Sequence, residues 1–348
     1  MIYNLPRAAK ETWPNDLDTA LEFTSPEAFS ISATQFWGGK IEYTNGSGWK
    51  VWRGGKIDSH QIGRKNAIYL RGSGNTRIAS GDASQGWTMV GNNISCNGNI
   101  ELLLDWKTVK NGDHPTMIAS CYDSMFYGCT SLVTAPTLPA TTLVDHCYDS
   151  MFYGCTSLAT APALPATTLA YGCYDSMFYG CTSLATAPAL PATRLAWWCY
   201  ESMFRGCTSL ATAPALSATT LAESCYASMF RGCTSLTTAP ALPATTLATY
   251  CYDSMFQGCT ALKSIPMLPA TTLYTRCYKM MFSGCKTIKV STAKTGEYTK
   301  KYRVPTTGTG TIGTESLLDM FDGTSGTFVG TPTINTAYYL SSANRIVG

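Results

Sequence analysis

The stretch 147–169 reads Cys-Tyr-Asp-Ser-Met-Phe-Tyr-Gly-Cys-Thr-Ser-Leu-Ala-Thr-Ala-Pro-Ala-Leu-Pro-Ala-Thr-Thr-Leu, and closely similar stretches recur every 26 residues. In each unit a second cysteine follows the first after eight residues. Six complete units cover 121–276, and a seventh loses the pattern after Ile288. A fixed period of this length predicts a solenoid, in which each unit packs only against its neighbours. The first cysteines are Cys121, Cys147, Cys173, Cys199, Cys225, Cys251 and Cys277.

Each unit is expected to contain one short helical turn, over 150–154 in the stretch quoted. Asp149 or Ser150 can cap the start of such a turn, and Gly154 can take the left-handed conformation that ends it. The segments that begin at Leu158 and Leu169 should be extended. Two prolines per unit cannot donate ladder hydrogen bonds, so pairing between units should be short and interrupted. The repeated Leu, Met, Phe and Cys positions should form columns in a shared core.

The chain has 15 cysteines, and their spacing favours buried, reduced thiols. Across a helical turn, two cysteines eight residues apart would lie about 12 Å apart. A disulfide needs its Cα atoms within about 7 Å. Disulfides between units and a metal site remain open alternatives, although no Cys-x-x-Cys pair and no accompanying histidine provide the spacing of a zinc site. We therefore expect no bound metal and no cofactor.

The run Met-Phe-x-Gly-Cys-Thr-Ser-Leu, followed by Ala-Pro-x-Leu-Pro-Ala-Thr-Thr-Leu, resembles the BspA-like (Treponema-type) leucine-rich repeat family. The resemblance covers 121–288, about half of the chain. Here Ser-Met-Phe replaces the family's Ala-Phe, and each unit is longer than the family's usual unit. The resemblance implies a leucine-rich-repeat solenoid that serves in binding, often on bacterial surfaces, and that carries no catalytic activity.

Residues 1–110 predict a small β-sandwich. They hold six of the eight tryptophans, and 41–52 has the alternation and turn residues of a hairpin. A further strand is expected over 67–71 and a short helix over 100–105. The tryptophans should fill the core, although such aromatic clusters can also bind sugars. The segment 21–72 is similar to the β-domain that precedes such repeats in gut bacterial and prophage proteins, and 3–7 resembles the start of phage tail-associated proteins.

The whole chain is therefore expected to be of the α+β class, with three parts. These are a β-rich domain (1–110), a leucine-rich-repeat solenoid of short strands and helical turns (111–290) and a C-terminal cap or β-tail (291–348). Within the last part, 316–323 reads Ser-Leu-Leu-Asp-Met-Phe-Asp-Gly, which looks like a degenerate unit without cysteines. Terminal repeats are expected to be atypical because they cap the stack.

Composition excludes several classes of function. Charged residues are 14% of the chain, against about 25% in an ordinary domain, and the net charge is +3, so we expect no nucleic-acid partner. No apolar run approaches the roughly 18 residues of a membrane span. Only three histidines are present, which argues against His-based catalysis. The first seven residues lack the pattern of a secretory signal, so we expect a virion (phage tail) or bacterial cell surface location.

Most positions are nearly constant among the units, and the few variable ones point to a binding surface. The two residues before each first cysteine and the residue six after it vary most. We expect a turn that directs them outward, where Tyr, Trp and Arg are the types that dominate binding interfaces. Neutral drift at exposed positions is the competing interpretation. The candidate ligand-binding residues are Tyr153, Tyr171, Tyr179, Arg194, Trp197, Trp198, Arg205, Arg231 and Tyr250.

A column of acids also recurs two residues after the first cysteine. Helix capping is the favoured interpretation, with a calcium site or glycosidase-like carboxylates as alternatives. The chain is accordingly expected to be a non-enzymatic recognition module, an adhesin or receptor-binding protein whose partner is a host-cell surface protein or glycan. A structural or assembly component that contacts other virion proteins is the second interpretation, and a tailspike-like carbohydrate-active enzyme is the third. The acids are Asp123, Asp149, Asp175, Glu201 and Asp253.

Overall fold

The computed structural model describes residues 13–46, 48–79 and 81–348, so the phage-like opening at 3–7 lies outside the described residues. The described chain consists mostly of strands and turns. Its one α-helix is α1 (Leu102–Lys110), accompanied by two 3₁₀ turns at Leu17–Thr19 and Ala83–Gln85. In this described part, no helix combines the length and the apolar character that crossing a bilayer requires.

Two sheets form in the described chain up to Thr134. The first ten strands are β1 (Leu21–Ser25), β2 (Ser30–Ala33), β3 (Lys40–Thr44), β4 (Lys50–Trp52), β5 (Gly55–Asp58), β6 (His60–Ile62), β7 (Lys65–Ser73), β8 (Thr88–Val90), β9 (Ile94–Asn97) and β10 (Leu132–Thr134). The larger sheet has the order β10-β9-β1-β7-β3-β4, and β6 also pairs with β7. The smaller sheet has the order β5-β2-β8. Alternate residues of β1 are buried, as a half-buried strand requires.

The sequence predictions for this region are largely confirmed. β3 and β4 form the expected hairpin, with Ile41 opposite Trp52, and β7 contains the expected strand. The predicted short helix over 100–105 is confirmed only in part, because α1 begins at Leu102, has a kink at Asp105 (φ −151°, ψ 101°) and continues to Lys110. Trp52 packs at 5.1 Å from Trp37 and at 5.2 Å from Trp87, and all three are buried, so these tryptophans fill the core.

The first unit packs directly on these sheets. β10, which lies within the first unit, pairs in parallel with β9. The N–H of Trp87 donates to the carbonyl oxygen of Met125 (2.9 Å), and that of Ile78 donates to Cys121 (2.9 Å). One continuous cluster of buried side chains runs from Leu21 to Leu340. The start of the array of units is therefore covered by hydrogen-bonding groups and by apolar side chains.

Within each unit, the eleven residues that end at the second cysteine form consecutive turns; we call them the turn segment (145–155 in the second unit). His146, Ser150 and Gly154 have φ of 52°, 51° and 69°, so every fourth residue is left-handed. The left-handed Gly154 was expected, but the predicted helical turn is wrong. Every second N–H donates to the next unit instead of within its own segment: that of Tyr148, for example, donates to the carbonyl oxygen of Cys173 (3.0 Å).

Because the backbone pattern repeats every four residues, the side chains point in alternating pairs into the core and out to solvent. The inward residues are the two cysteines, the Tyr after the first cysteine, and the Met-Phe pair, and all of them are buried. Phenylalanine rings of successive units stack at centroid distances from 5.6 Å (Phe152–Phe178) to 5.8 Å (Phe204–Phe230). All 15 cysteines are buried and unbonded to one another, so they lie in the core as expected.

The extended segments pair only at single residues, as the prolines predicted. Isolated parallel bridges join Thr160 to Thr186, and Thr186 to Thr212, on one edge. On the other edge, bridges join Thr142 to Thr168 and Thr220 to Thr246. Only at the first and last units does this pairing lengthen into strands, β10 and β11 (Ser264–Pro266).

The degenerate unit near the C-terminus is confirmed. The N–H groups of Tyr278 and Phe282 donate to Ser316 (2.9 Å) and Met320 (2.9 Å), and the ring of Phe282 stacks on Phe321 at 5.8 Å. The last strands are β12 (Lys289–Ser291), β13 (Tyr298–Arg303), β14 (Ser325–Gly326), β15 (Ala337–Ser341) and β16 (Arg345–Val347). Four of them form a sheet of order β13-β15-β12-β14, and β16 pairs with β11.

Candidate functional site

The turn segments present three outward rows of side chains, which we call ribs. The aromatic rib occupies the two positions before each first cysteine, the acidic rib the second position after it, and the Tyr/Arg rib the sixth. Because the same backbone hydrogen bonds link each unit to the next, residues at one position lie side by side in neighbouring units. Each rib is therefore a row of residues that lie far apart in sequence.

On the aromatic rib, Trp197 and Trp198 are 60% and 37% exposed, which are high values for tryptophan. The Trp198 ring lies 5.0 Å from that of Tyr171, which lies 5.0 Å from the His146 ring. The N–H of Gly172 donates to the carbonyl oxygen of Trp197 (3.0 Å). This backbone hydrogen bond joins the residues next to Tyr171 and Trp198, and so it holds the two rings near each other.

The expectation that both positions before the cysteine point outward is only partly right. Gly172 and Ser224 occupy this rib and are buried. Ser224 lies between Trp198 and Tyr250, so the structure separates these two candidates. Tyr250 instead has the guanidinium of Arg276 over its ring at 5.5 Å.

The Tyr/Arg rib is a continuous ladder of side chains. The ring of Tyr153 stacks at 4.5 Å on Tyr127 and at 4.4 Å on Tyr179. The guanidinium of Arg205 continues the row 5.1 Å from the Tyr179 ring. Burial, and next the neighbouring Arg205, lower the pKa of Arg231. The structure thus brings four of the candidate residues together here.

The acidic rib lies between the other two and is half-buried. The hydroxyl of Ser150 donates to Asp149 (2.8 Å), and Nδ1 of His146 lies 2.9 Å from the same carboxylate. No helix begins at these acids, so the helix-capping interpretation is wrong. Burial, and next the charge of Asp149, raise the pKa of Asp175 to about 8. Burial and then Asp253 raise the pKa of Glu201 to about 7.

Asp175 and Glu201 are thus groups that exchange protons near neutral pH. In the described residues, no cluster of three or more His, Cys, Asp or Glu side chains is placed to hold a metal ion. His146, which sequence reasoning did not select, joins the acidic rib to the aromatic rib. Its variable position in the unit was the signal that could have identified it.

Arg194 lies apart from the ribs, in the extended segment that precedes Trp197. It is exposed and lines a cavity of about 520 Å³. Sequence reasoning missed Ser217, which lines the same cavity. The sequence contained a signal for this residue, because Ser217 stands where the other complete units have proline.

Comparison with known proteins identifies the repeats. A family model described as "BspA type Leucine rich repeat region (6 copies)" matches residues 105–193 and 199–302, which is more than half of the chain. No curated protein and no solved structure matches the chain. Leucine-rich repeats of this kind indicate a protein-interaction module, and the family is typically non-enzymatic. The chain belongs to the BspA-type leucine-rich repeat family.

Proposed function

We propose that this chain is a non-enzymatic recognition module of a phage tail or a bacterial surface. In this proposal the units form a leucine-rich-repeat solenoid of 26-residue turns. The middle units bind a cell-surface partner through the aromatic and Tyr/Arg ribs. Residues 1–110 and 291–348 act as the two end domains that hold the solenoid and cover its ends.

The observation that carries the proposal is the exposure of two adjacent tryptophans. Trp197 and Trp198 are 60% and 37% exposed, although tryptophan is a residue that a protein normally keeps largely buried. Tryptophan, tyrosine and arginine dominate the binding energy of interfaces. A partner that covers these two indoles would remove a large apolar area from water.

The surroundings of the tryptophans favour binding rather than drift. Trp198 packs 5.0 Å from Tyr171, and its own backbone N–H donates to Glu223 (3.0 Å). Side chains that are already ordered lose less conformational entropy when a partner binds. The neighbouring Tyr/Arg rib adds arginine, which can meet carboxylates or aromatic rings on a partner.

The test compares the wild-type chain with the double variant Trp197→Ala/Trp198→Ala. We expect the labelled wild-type protein to bind at least one cell type in a panel of bacterial cells, and the double variant to bind at least ten-fold more weakly. The matched control is Ile312→Ala/Val329→Ala, which removes two exposed apolar side chains near the C-terminus.

Equal binding by the wild-type chain and the tryptophan variant would reject the surface. Binding only to other virion proteins, with none to cells, would instead support an assembly component. Thermal unfolding of each variant separates loss of binding from loss of folding, because exposed side chains contribute little to stability.

A further inference from the structure

Each complete unit contains an extended segment that reads Thr-Thr-Leu or, at 193–195, Thr-Arg-Leu. Along one edge of the units, backbone hydrogen bonds join these segments in pairs. The N–H of Leu143 donates to Thr168 (3.0 Å), and that of Leu221 donates to Thr246 (2.9 Å). Leu273 is bonded in the same way to Thr311 (3.0 Å). Among the described residues, the segment 193–195, which reads Thr-Arg-Leu, is the one segment at this position of a complete unit that bonds to neither neighbour.

A cavity opens where those bonds are missing. Its volume is about 520 Å³, within the range of roughly 300–1,000 Å³ that is usual for small-ligand sites. Its walls are 193–195 on one side and parts of 217–221 on the other. The backbone N–H groups of Thr193, Arg194 and Leu195 have no protein acceptor, so they remain available to a ligand.

The sequence departs from its own repeat at this cavity. Arg194 stands where the other complete units have threonine, and Ser217 stands where they have proline. The two substitutions lie in successive units, yet both line the same cavity. Ser217 adds a hydroxyl and a backbone N–H that proline lacks. Because two departures from the repeat line the same cavity, they indicate a binding site rather than a part of the repeated scaffold.

The chemistry of the lining selects the ligand. Arg194 forms no ion pair or hydrogen bond within the described residues, and no lining residue is acidic. Four of the lining residues carry hydroxyl groups: Thr193, Ser217, Thr219 and Thr220. An unpaired guanidinium binds a carboxylate with two parallel hydrogen bonds, and hydroxyl groups exchange hydrogen bonds with the hydroxyls of a sugar.

We propose that this cleft binds a carboxylate-bearing sugar residue of a surface glycan, with Arg194 on the carboxylate. The inference rests on the proposed recognition function and names its ligand class. Three unpaired backbone residues are too few for the added strand by which an extended peptide binds. Trp197 follows Arg194 by three residues and provides an exposed indole, a flat apolar surface, for the next sugar of the chain.

The test measures binding of the full chain to glucuronic acid and N-acetylneuraminic acid by calorimetry, with glucose as the neutral probe. We expect both acids to bind and glucose to bind at least ten-fold more weakly. Arg194→Thr restores the repeat's own residue, so it should fold normally and weaken acid binding by at least ten-fold. Ser217→Pro, which also restores the repeat, should weaken binding as well.

The control variant is Lys263→Thr, which removes an exposed cation outside both the cleft and the ribs and places there the residue found at Thr237 in the preceding unit. It should leave acid binding unchanged. Equal affinity in wild type and Arg194→Thr, or no affinity for either acid, overturns the proposal. Stronger binding of a hexaglutamate peptide than of both sugars overturns the glycan assignment.

The same variants keep the two proposals distinguishable. If Trp197→Ala/Trp198→Ala abolishes cell binding while the acids do not bind, the recognition surface stands and the acidic-sugar site falls. If Arg194→Thr loses the acids while the tryptophan variant binds cells normally, the sugar site stands and the recognition surface falls.

Discussion

The Sγ atom of Cys207 lies 3.0 Å from the carbonyl oxygen of Phe178 in the preceding unit, and its S–H donates to that oxygen. The same carbonyl accepts the N–H of Cys181 at 3.1 Å. The second cysteine of a unit therefore fills core volume and also links neighbouring units. Equivalent bonds are made by Cys155, Cys181, Cys233, Cys259 and Cys285.

Replacing Cys207 by alanine should lower the free energy of unfolding by about 1–3 kcal/mol, because it removes a buried side chain and a hydrogen bond. Urea denaturation of the purified chain measures this change. The matched control is Ser209→Ala at an exposed position of the same unit, which should change stability by less than about 0.5 kcal/mol. Equal stability of the two variants would show that the thiol is dispensable.

The buried thiols should resist alkylation in the native protein. Iodoacetamide attacks thiolates, and burial raises the pKa of Cys181 and Cys285 to about 12. At about pH 8 we expect mass spectrometry to find none of the 15 cysteines labelled in the folded chain and all of them labelled in concentrated urea. Rapid labelling of any cysteine between 121 and 285 in the folded chain would contradict the described burial.

The acidic rib should make stability fall as pH rises. Burial and the neighbouring Asp149 raise the pKa of Asp175 from 3.8 to about 8. The folded state therefore holds a proton that the unfolded state releases, and this contribution, full below about pH 4, is lost by about pH 8. Glu201, with a pKa raised to about 7, adds to the same trend.

Asp175→Asn should flatten this pH dependence and increase the free energy of unfolding near pH 8 by about 1–2 kcal/mol. Urea denaturation at a series of pH values measures both effects. Asp113→Asn is the control at an exposed acid, and it should leave the pH profile of the wild type intact. A variant at 175 that is less stable than the wild type near pH 8 would show that this carboxylate is ionised and favourably bound.

Sequence reasoning predicted the features that depend on composition and period. The buried columns, the hairpin from Ile41 to Trp52 and the degenerate unit at 316–323 follow from repeated apolar positions and turn residues. It failed on the turn segment because a short Ser-Met-Phe-Tyr-Gly run fits a helical turn locally. Cys-Tyr and Met-Phe pairs spaced by four residues were the available signal, since a helix would spread its buried positions at intervals of 3.6 residues.

The residue types of the candidate surface could be predicted from the sequence. Which of these residues lie next to one another could not. Variation among the units selected Trp197, Trp198 and the Tyr/Arg rib without indicating which residues meet. The separation of Tyr250 from Trp198 depends on the buried Ser224, whose polarity gave no reason to expect burial. The cleft at Arg194 depends on missing backbone bonds, which are set by the fit of neighbouring units rather than by one segment's residue types.

The hydrogen bonds between turn segments allow units to be added or removed without changing the contacts between the remaining units. Each internal segment donates to the next by the same pattern, and the ends are completed by groups outside the cysteine units, at Trp87 and Ser316. Loss or gain of one 26-residue block by recombination would leave both junctions chemically unchanged and alter the distance between them by about 5 Å. Copy number would therefore set the distance between the two ends, while the outward side chains of the remaining units stay unchanged.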